Sequence, residues 1–332
     1  MLVRKFYLVS LPLLFALLCV AAPAQTLLVV NQHDANVSLI DPQTGKQIAA
    51  IDEHTPGVHG HEIAVSADGR TAYLPIYGST GVGKPGIDGH EMLVIDLPSR
   101  TVVRHVDFGR GVRPHLPVLD AKRNLLYVTT ELDKSVAVLD AKTLKIVGSV
   151  PTGQEESHML ALSSDGRFGY TANVGPGTVS VLDMVQRKTL AVVPVSERIQ
   201  RISVSRDNRL IFTADQTTPR LAVIDAAKKS VQGWIDLPGS GYGTDSTLDG
   251  RMLLVAIPSK NEVAVIDLKQ RKMVRTIDVP ASPQEVLVRP DGRMAYVSCN
   301  NSAKVAAINL ATWKLDSTFS AGRFADGLAW AK

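Results

Sequence analysis

The sequence predicts an all-β chain folded as a seven-bladed β-propeller, closed by one C-terminal plus three N-terminal strands in the same blade. Three observations predict it. A short apolar run ending in Asp or Asn recurs seven times, Asp-Gly turn signals recur ahead of it, and the chain ends on the element with which the other repeats begin. Periodic recurrence of a unit of about 40–45 residues with four short β-rich runs is the signature of propeller blades.

The recurring run reads Val37-Ser-Leu-Ile-Asp41, Met92-Leu-Val-Ile-Asp96, Val136-Ala-Val-Leu-Asp140, Val179-Ser-Val-Leu-Asp183, Leu221-Ala-Val-Ile-Asp225, Val263-Ala-Val-Ile-Asp267 and Val305-Ala-Ala-Ile-Asn309. After a first interval of 55 residues, the copies stand 44 to 42 apart. Upstream of the last six lies a second element, clearest at Ile63 to Arg70, Leu160 to Arg167 and Val286 to Arg293. Its Asp-Gly pairs (Asp68-Gly69, Asp165-Gly166, Asp249-Gly250, Asp291-Gly292) are hairpin signals, because Gly takes φ > 0 without a Cβ clash. No stretch between these elements has the length and 3.6-residue period of a helix. The closing segment Gly327-Leu-Ala-Trp-Ala331 matches a first strand, and Leu27-Leu-Val-Val-Asn31 matches a second, so the last strand is expected to complete the first blade and remove an open sheet edge.

The first 24 residues read differently. Arg4 and Lys5 precede an apolar run from Phe6 to Ala22, and Ala22-Pro23-Ala24 offers small residues where a signal peptidase cuts. We read residues 1–24 as a secretory signal and 25–332 as one propeller domain, periplasmic or secreted, with no membrane span once the signal is removed. Pro12 and the Ala-Pro-Ala end argue against an uncleaved anchor, and the bulky Leu18 argues against lipidation at Cys19. The chain has two Cys, so removal of Cys19 leaves Cys299 alone, unable to form an internal disulfide and expected to be buried and inert. Net charge is +4, falling to +2 without Arg4 and Lys5. With no basic cluster and no interleaved aromatics, nucleic acid is not the expected partner.

Tyr127-Val-Thr-Thr followed by Ser135-Val-Ala-Val-Leu-Asp, and Tyr170-Thr-Ala-Asn173 followed by Thr178-Val-Ser-Val-Leu-Asp, resemble the YVTN-repeat (YncE-like) family of β-propellers across essentially the whole mature chain. The resemblance implies exported propellers, often binding proteins, with relatives among quinoprotein and haem d1 propellers. The sequence has no Cys-x-x-Cys-His, so a covalent c-type haem is not expected.

Departures from the repeat point to a site. Aligning the repeats on the turn places His61, His115, His158, Gln200, Tyr242, Gln284 and Asp326 in one column just ahead of each first strand, hence around one mouth of the central channel. The connections leading to the three His, from Ile51, Val106 and Val150, are longer than the other four, which share one length. The second blade alone has a long insertion, Gly78 to His90, on the same face. Three neutral imidazoles suit zinc, copper or iron, and three His with an open position is a catalytic pattern. His61, His115 and His158 are therefore candidate ligands of a divalent transition metal, with His59 and His90 nearby. Glu62, Glu285 and Asp326 could orient ligands or act as base, and Tyr242 and Arg201 could hold an anion or stack on a ring. The competing reading is a polar ring that only hydrogen-bonds water and backbone at a wet mouth. The repeated Asp residues are expected to form turns.

Two functions follow. The first is an exported, monomeric binding or scaffold propeller with a ligand or partner, a small molecule or an exported protein, at the His-bearing mouth: Tyr242, Gln200, Gln284, Asp326, Arg201 and Glu62. The alternative is a metal-dependent lyase or hydrolase acting on a small carbonyl or sugar-derived substrate at His61, His115 and His158.

Overall fold

A computed structural model describes residues 25–332, and the signal expected at 1–24 lies outside the described residues. Seven antiparallel sheets follow one another in sequence order. Blade 1 takes its innermost strand, Ala325–Ala331, from the end of the chain and continues with Thr26–Asn31, Asn36–Ile40 and Gln47–Asp52. Leu28 faces Ala329 and Thr26 faces Ala331 across the closing pair. This is the closure the sequence predicts.

Blade 2 has a broken inner strand, His59–Gly60 and Ala64–Val65, then Thr71–Gly78, Asp88–Asp96 and Thr101–Asp107. Blades 3 to 7 begin with the inner strands Pro114–Asp120, Ser157–Leu162, Ile199–Val204, Thr244–Ser246 and Pro283–Val288. The insertion departs from expectation at its ends, because Gly78 and Asp88 still pair and only the chain between them leaves the sheet.

The strand sequences follow from packing. Second and third strands are covered on both faces by neighbouring blades, so runs such as Leu126-Tyr-Val and Val136-Ala-Val-Leu are almost continuously apolar. Outer strands bury one apolar side chain each, for example Val106 in Thr101–Asp107. The core is split among the seams. Leu28, Val30, Leu74, Ile76 and Leu93 fill the seam of blades 1 and 2, and comparable apolar clusters fill the other six. Gly69, Gly166, Gly250 and Gly292 take φ of +72°, +65°, +68° and +72°, as their turns require. The repeated Asp residues form turns: Asp140 Oδ1 accepts from Thr143 N at 2.7 Å. Cys299 is buried, and burial pushes its thiol up to about 12.

Candidate functional site at the channel mouth

Four of the inner strands start from a sharp bend. Two residues before His115, His158, Gln284 and Asp326, the chain passes through the left-handed region at Arg113, Glu156, Ser282 and Phe324. In blade 5 the left-handed residue is Arg201 itself, φ +61°, within a register break between Gln200 and Ser203. The break places two consecutive polar side chains, Gln200 and Arg201, at the mouth.

The expected ring forms, and its side chains are almost wholly buried. His115 is 1 % exposed, His158 4 % and Arg201 3 %. Arg201 crosses the axis as a plug. Its Nη1 donates to Glu62 Oε1 (2.5 Å) of blade 2 and Glu285 Oε2 (2.6 Å) of blade 7, and its Nη2 donates to Asp326 Oδ1 (2.9 Å) of blade 1. The guanidinium also sits 4.9 Å from the Tyr242 ring centroid. Arg201 thus holds three carboxyls of the protein itself and lies over the Tyr242 ring.

One guanidinium cannot keep three buried carboxyls ionised. Burial pushes Glu285 up to about 7, against the pull of Arg201, and Asp326 adds to the rise. Burial likewise raises Glu62 well above the carboxylate range, and raises Asp326. Burial opposes the charge on Arg201, but Glu62, Glu285 and Asp326 outweigh it and hold that pKa well above its usual value.

Across the mouth the three imidazoles adjoin. The rings of His115 and His158 stack at 3.6 Å between centroids, and His61 meets His115 edge-on at 5.4 Å. Tyr77 touches all three. The Glu131 carboxylate accepts from Tyr77 Oη at 2.7 Å and from His158 Nδ1. His115 Nδ1 donates to the His158 carbonyl at 3.1 Å. A carbonyl only accepts, so Nδ1 of His115 carries the proton and, in the neutral ring, Nε2 carries the lone pair. Burial, then the charges of neighbouring His, hold His61 and His115 well below the usual imidazole range, so both are neutral. Stacked rings send their in-plane lone pairs along neighbouring planes instead of to one point. Among the described residues, no group of three or more His, Cys, Asp or Glu is arranged to hold a metal ion.

Between plug and imidazoles lies a cavity of about 180 Å³. His61, His115, His158, Gln200, Arg201, Tyr242, Gln284 and Asp326 line it, with Gln32, Asn300 and Phe324, and Gly81 and Val82 of the insertion also border it. Glu62 lies behind Arg201 and does not line it. His90 is exposed and bonded to Asp107, away from the site. His59 stacks on His61 at 5.0 Å but lines an outer groove of about 730 Å³ with the exposed His33 and His54. Tyr77, Glu131, Gln32 and Asn300 are site residues that reading the first-strand column misses. Gln32, Glu131 and Asn300 each directly follow a second strand, so aligning the repeats there exposes a second polar column.

The fold and this polar pole define a seven-bladed propeller with a plugged, roofed channel mouth. The chain belongs to the Cytochrome D1 heme domain family, whose match covers residues 120–323. No curated protein matches it. Among solved structures it is similar to hydrazine synthase of Kuenenia stuttgartiensis (17 % identity, TM-score 0.74, covering 86 % of this chain and 92 % of that one). It is also similar to the dihydro-heme d1 dehydrogenase NirN in complex with DHE (18 % identity, TM-score 0.65, covering 90 % of this chain and 64 % of that one). Among the described residues no helix is long and apolar enough to cross a membrane.

The family implies a tetrapyrrole, and the mouth does not fit one. Pockets for drug-sized ligands enclose roughly 300–1,000 Å³, whereas this cavity has about 180 Å³ with Gly81 and Val82 at its border. The guanidinium that a macrocycle carboxylate would seek is already committed to three protein carboxyls.

Proposed function

We propose that this chain is an exported, monomeric binding propeller of the YVTN-repeat type, led to the periplasm by residues 1–24, and that it holds a small polar molecule in the channel-mouth cavity. One observation carries the reading. His61 Nε2, Gln200 Oε1, Asn300 Oδ1 and Arg201 Nε are buried without a hydrogen-bond partner, and all four belong to residues lining that one cavity. Buried polar atoms are nearly always paired, and each unpaired one costs about 1–3 kcal/mol. A ligand that pairs them gains what folding left unused.

The test is thermal-shift screening of residues 25–332 against small polar molecules, alongside a Val82→Trp variant that fills the cavity. Ligands should raise Tm in the parent and not in Val82→Trp. Equal shifts in both would place binding elsewhere and overturn the reading.

A second reading keeps the metal-dependent lyase or hydrolase, acting on a small carbonyl or sugar-derived substrate. It is favoured by the way Glu131 and the His158 carbonyl fix the Nδ1 atoms of His158 and His115, as partners of metal-bound imidazoles do. The residues that would hold zinc, copper or iron are His61, His115 and His158. Metal analysis of the purified protein with and without His158→Ala tests it. Equal metal content in both would remove this reading.

A further inference from the structure

We propose that the pole opposite the histidine mouth is a docking surface for an anionic lipid bilayer, on which the bound propeller turns its mouth toward solvent. The inference goes beyond the cavity reading and does not depend on it.

Every inner strand starts at the mouth, so the turns joining first to second and third to fourth strands all lie at the other pole. Of the 34 Lys and Arg in residues 25–332, 22 stand in these turns or on the strand residues flanking them, against 12 of the 32 Asp and Glu. The rest of the molecule holds the other 12 bases and 20 acids. A near-neutral chain is therefore divided into a basic pole, with ten positive charges in excess, and a remainder with eight negative charges in excess.

The turns explain why the bases face outward. Each of the 12 Asp accepts a hydrogen bond from a backbone N–H of its own turn, as Asp68 Oδ1 does from Arg70 N at 3.1 Å. All the bases except Arg289 are exposed. Six pair with a carboxylate, and among the described residues the other 16 form no ion pair. The turns repeat but their charge does not: blades 3 to 7 supply 18 of the 22 bases, blades 1 and 2 two each. No single turn has more than three, so the pole shows no basic run along the sequence.

Apolar side chains stand among these bases. Val185, in a turn of blade 4, is 57 % exposed, and Leu248, in a turn of blade 6, is 46 % exposed. Bases that meet anionic headgroups beside apolar groups that enter the acyl boundary are the two components of peripheral membrane binding. Charge spread over five blades matches an extended surface better than one small anion. The exposed large apolar residues of these turns are aliphatic, whereas single-stranded nucleic acid calls for aromatic faces on which bases stack. The acid excess elsewhere orients the molecule, because an anionic bilayer repels it.

Co-sedimentation of residues 25–332 with vesicles tests this. Vesicles of equimolar phosphatidylglycerol and phosphatidylcholine should bind at least about tenfold more tightly than phosphatidylcholine alone. Raising salt from about 50 mM to about 500 mM should remove most of that binding, because screening then acts within a few ångströms. Two double variants separate the pole from net charge. Lys269→Glu with Lys272→Glu, at the basic pole, should weaken binding about tenfold. Lys260→Glu with Lys304→Glu, exposed at the mouth ends of their strands, changes net charge equally and should weaken it no more than about twofold. Val185→Ser with Leu248→Ser should weaken it severalfold without changing charge. Equal binding to both vesicle types, equal loss in the two charge variants, or DNA binding tighter than vesicle binding overturns the proposal.

Discussion

The seams between blades and the axis they surround are built from opposite materials. The seams are apolar and interchangeable: Leu74, Val255 and Val297 occupy equivalent places in different blades, each fully buried in an apolar cluster. The axis is polar, and the blades contribute unlike groups to it: an arginine from blade 5, carboxyls from blades 1, 2 and 7, imidazoles from blades 2, 3 and 4. Burial at a seam stabilises through area alone, about 25 cal/mol per Å², and many sequences satisfy it. Burial on the axis stabilises only if each polar group meets its particular partner. The difference teaches that the fold resides in the repeat and that anything specific to this chain resides where the repeat fails.

The largest effect should come from breaking a seam at the closure. Removing residues 325–332 takes away the inner strand of blade 1, with Ala325, Leu328, Ala329 and Ala331 from its packing, and leaves Thr26–Asn31 as an open edge. The truncated chain should lose cooperative unfolding in circular dichroism. Retention of the parent Tm would show that the ring does not need its closing strand.

Next come two substitutions that separate seam from axis. Leu74→Ala empties a fully buried seam position and should cost about 2–5 kcal/mol. Arg201→Met leaves three buried carboxyls without their cation and should cost about 3–5 kcal/mol at pH 8. The two should diverge with pH. The Leu74→Ala deficit should stay constant, whereas the Arg201→Met deficit should shrink toward pH 5, where Glu62, Glu285 and Asp326 take protons and need no cation. Denaturant melts at both pH values check this, and parallel deficits would mean that Arg201 acts by packing alone.

These pairs also mark what could be read in advance. Blade number, closure and the ring column are legible because each repeats a pattern at near-fixed spacing. The column even collects Asp326, Gln284 and the three His. The plug is not legible, because Glu62, Glu285 and Asp326 meet Arg201 from 139, 84 and 125 residues away. Only the inward turn at the left-handed Arg201 brings that side chain across the axis. The depth of burial at the mouth escapes the sequence for the same reason: Arg201 reaches across the axis, and Gly81 and Val82 of the insertion border the cavity. Glu131 escapes notice because its role depends on Tyr77 and His158 in other blades.

Glu53 shows the axis rule beyond the axis. It is buried, accepts from Gly60 N at 3.0 Å and Thr55 Oγ1 at 3.2 Å, and has its Oε1 unpaired. Burial pushes its pKa up from 4.5 to about 7. A carboxyl raised in the folded state contributes stability that is fully present below about 4.5 and is lost as pH rises through about 7. At roughly 1.4 kcal/mol per pH unit, that displacement amounts to about 3 kcal/mol. Glu53→Gln should therefore flatten the stability profile between these pH values and make the variant the more stable protein at pH 8. A variant profile that falls as steeply as the parent's would assign the fall to the axis carboxyls alone.

The smallest effect on stability should come from the insertion, where the two regions meet. Its base is anchored: Ser79 N donates to Ile87 O at 3.0 Å, and the buried Arg113 pairs with Asp88 at 2.5 Å. Its tip is held more lightly, by Arg113 Nη2 to Lys84 O at 2.8 Å, and Ile87 stands 61 % exposed. Replacing Thr80–Gly86 with Asn-Gly retains Asp88 and closes the hairpin with a two-residue turn matched to strand twist. The loss should stay below about 1 kcal/mol, because surface loops bury little and shortening one removes closure entropy. The cavity, however, loses Gly81 and Val82 from its border, so binding there should weaken severalfold while Tm hardly moves. Titrating haem into the same variant sharpens the comparison. If the insertion is what keeps the mouth too small, haem should give a Soret shift only after the replacement. A Soret shift in the parent would show that the mouth admits a macrocycle as it stands.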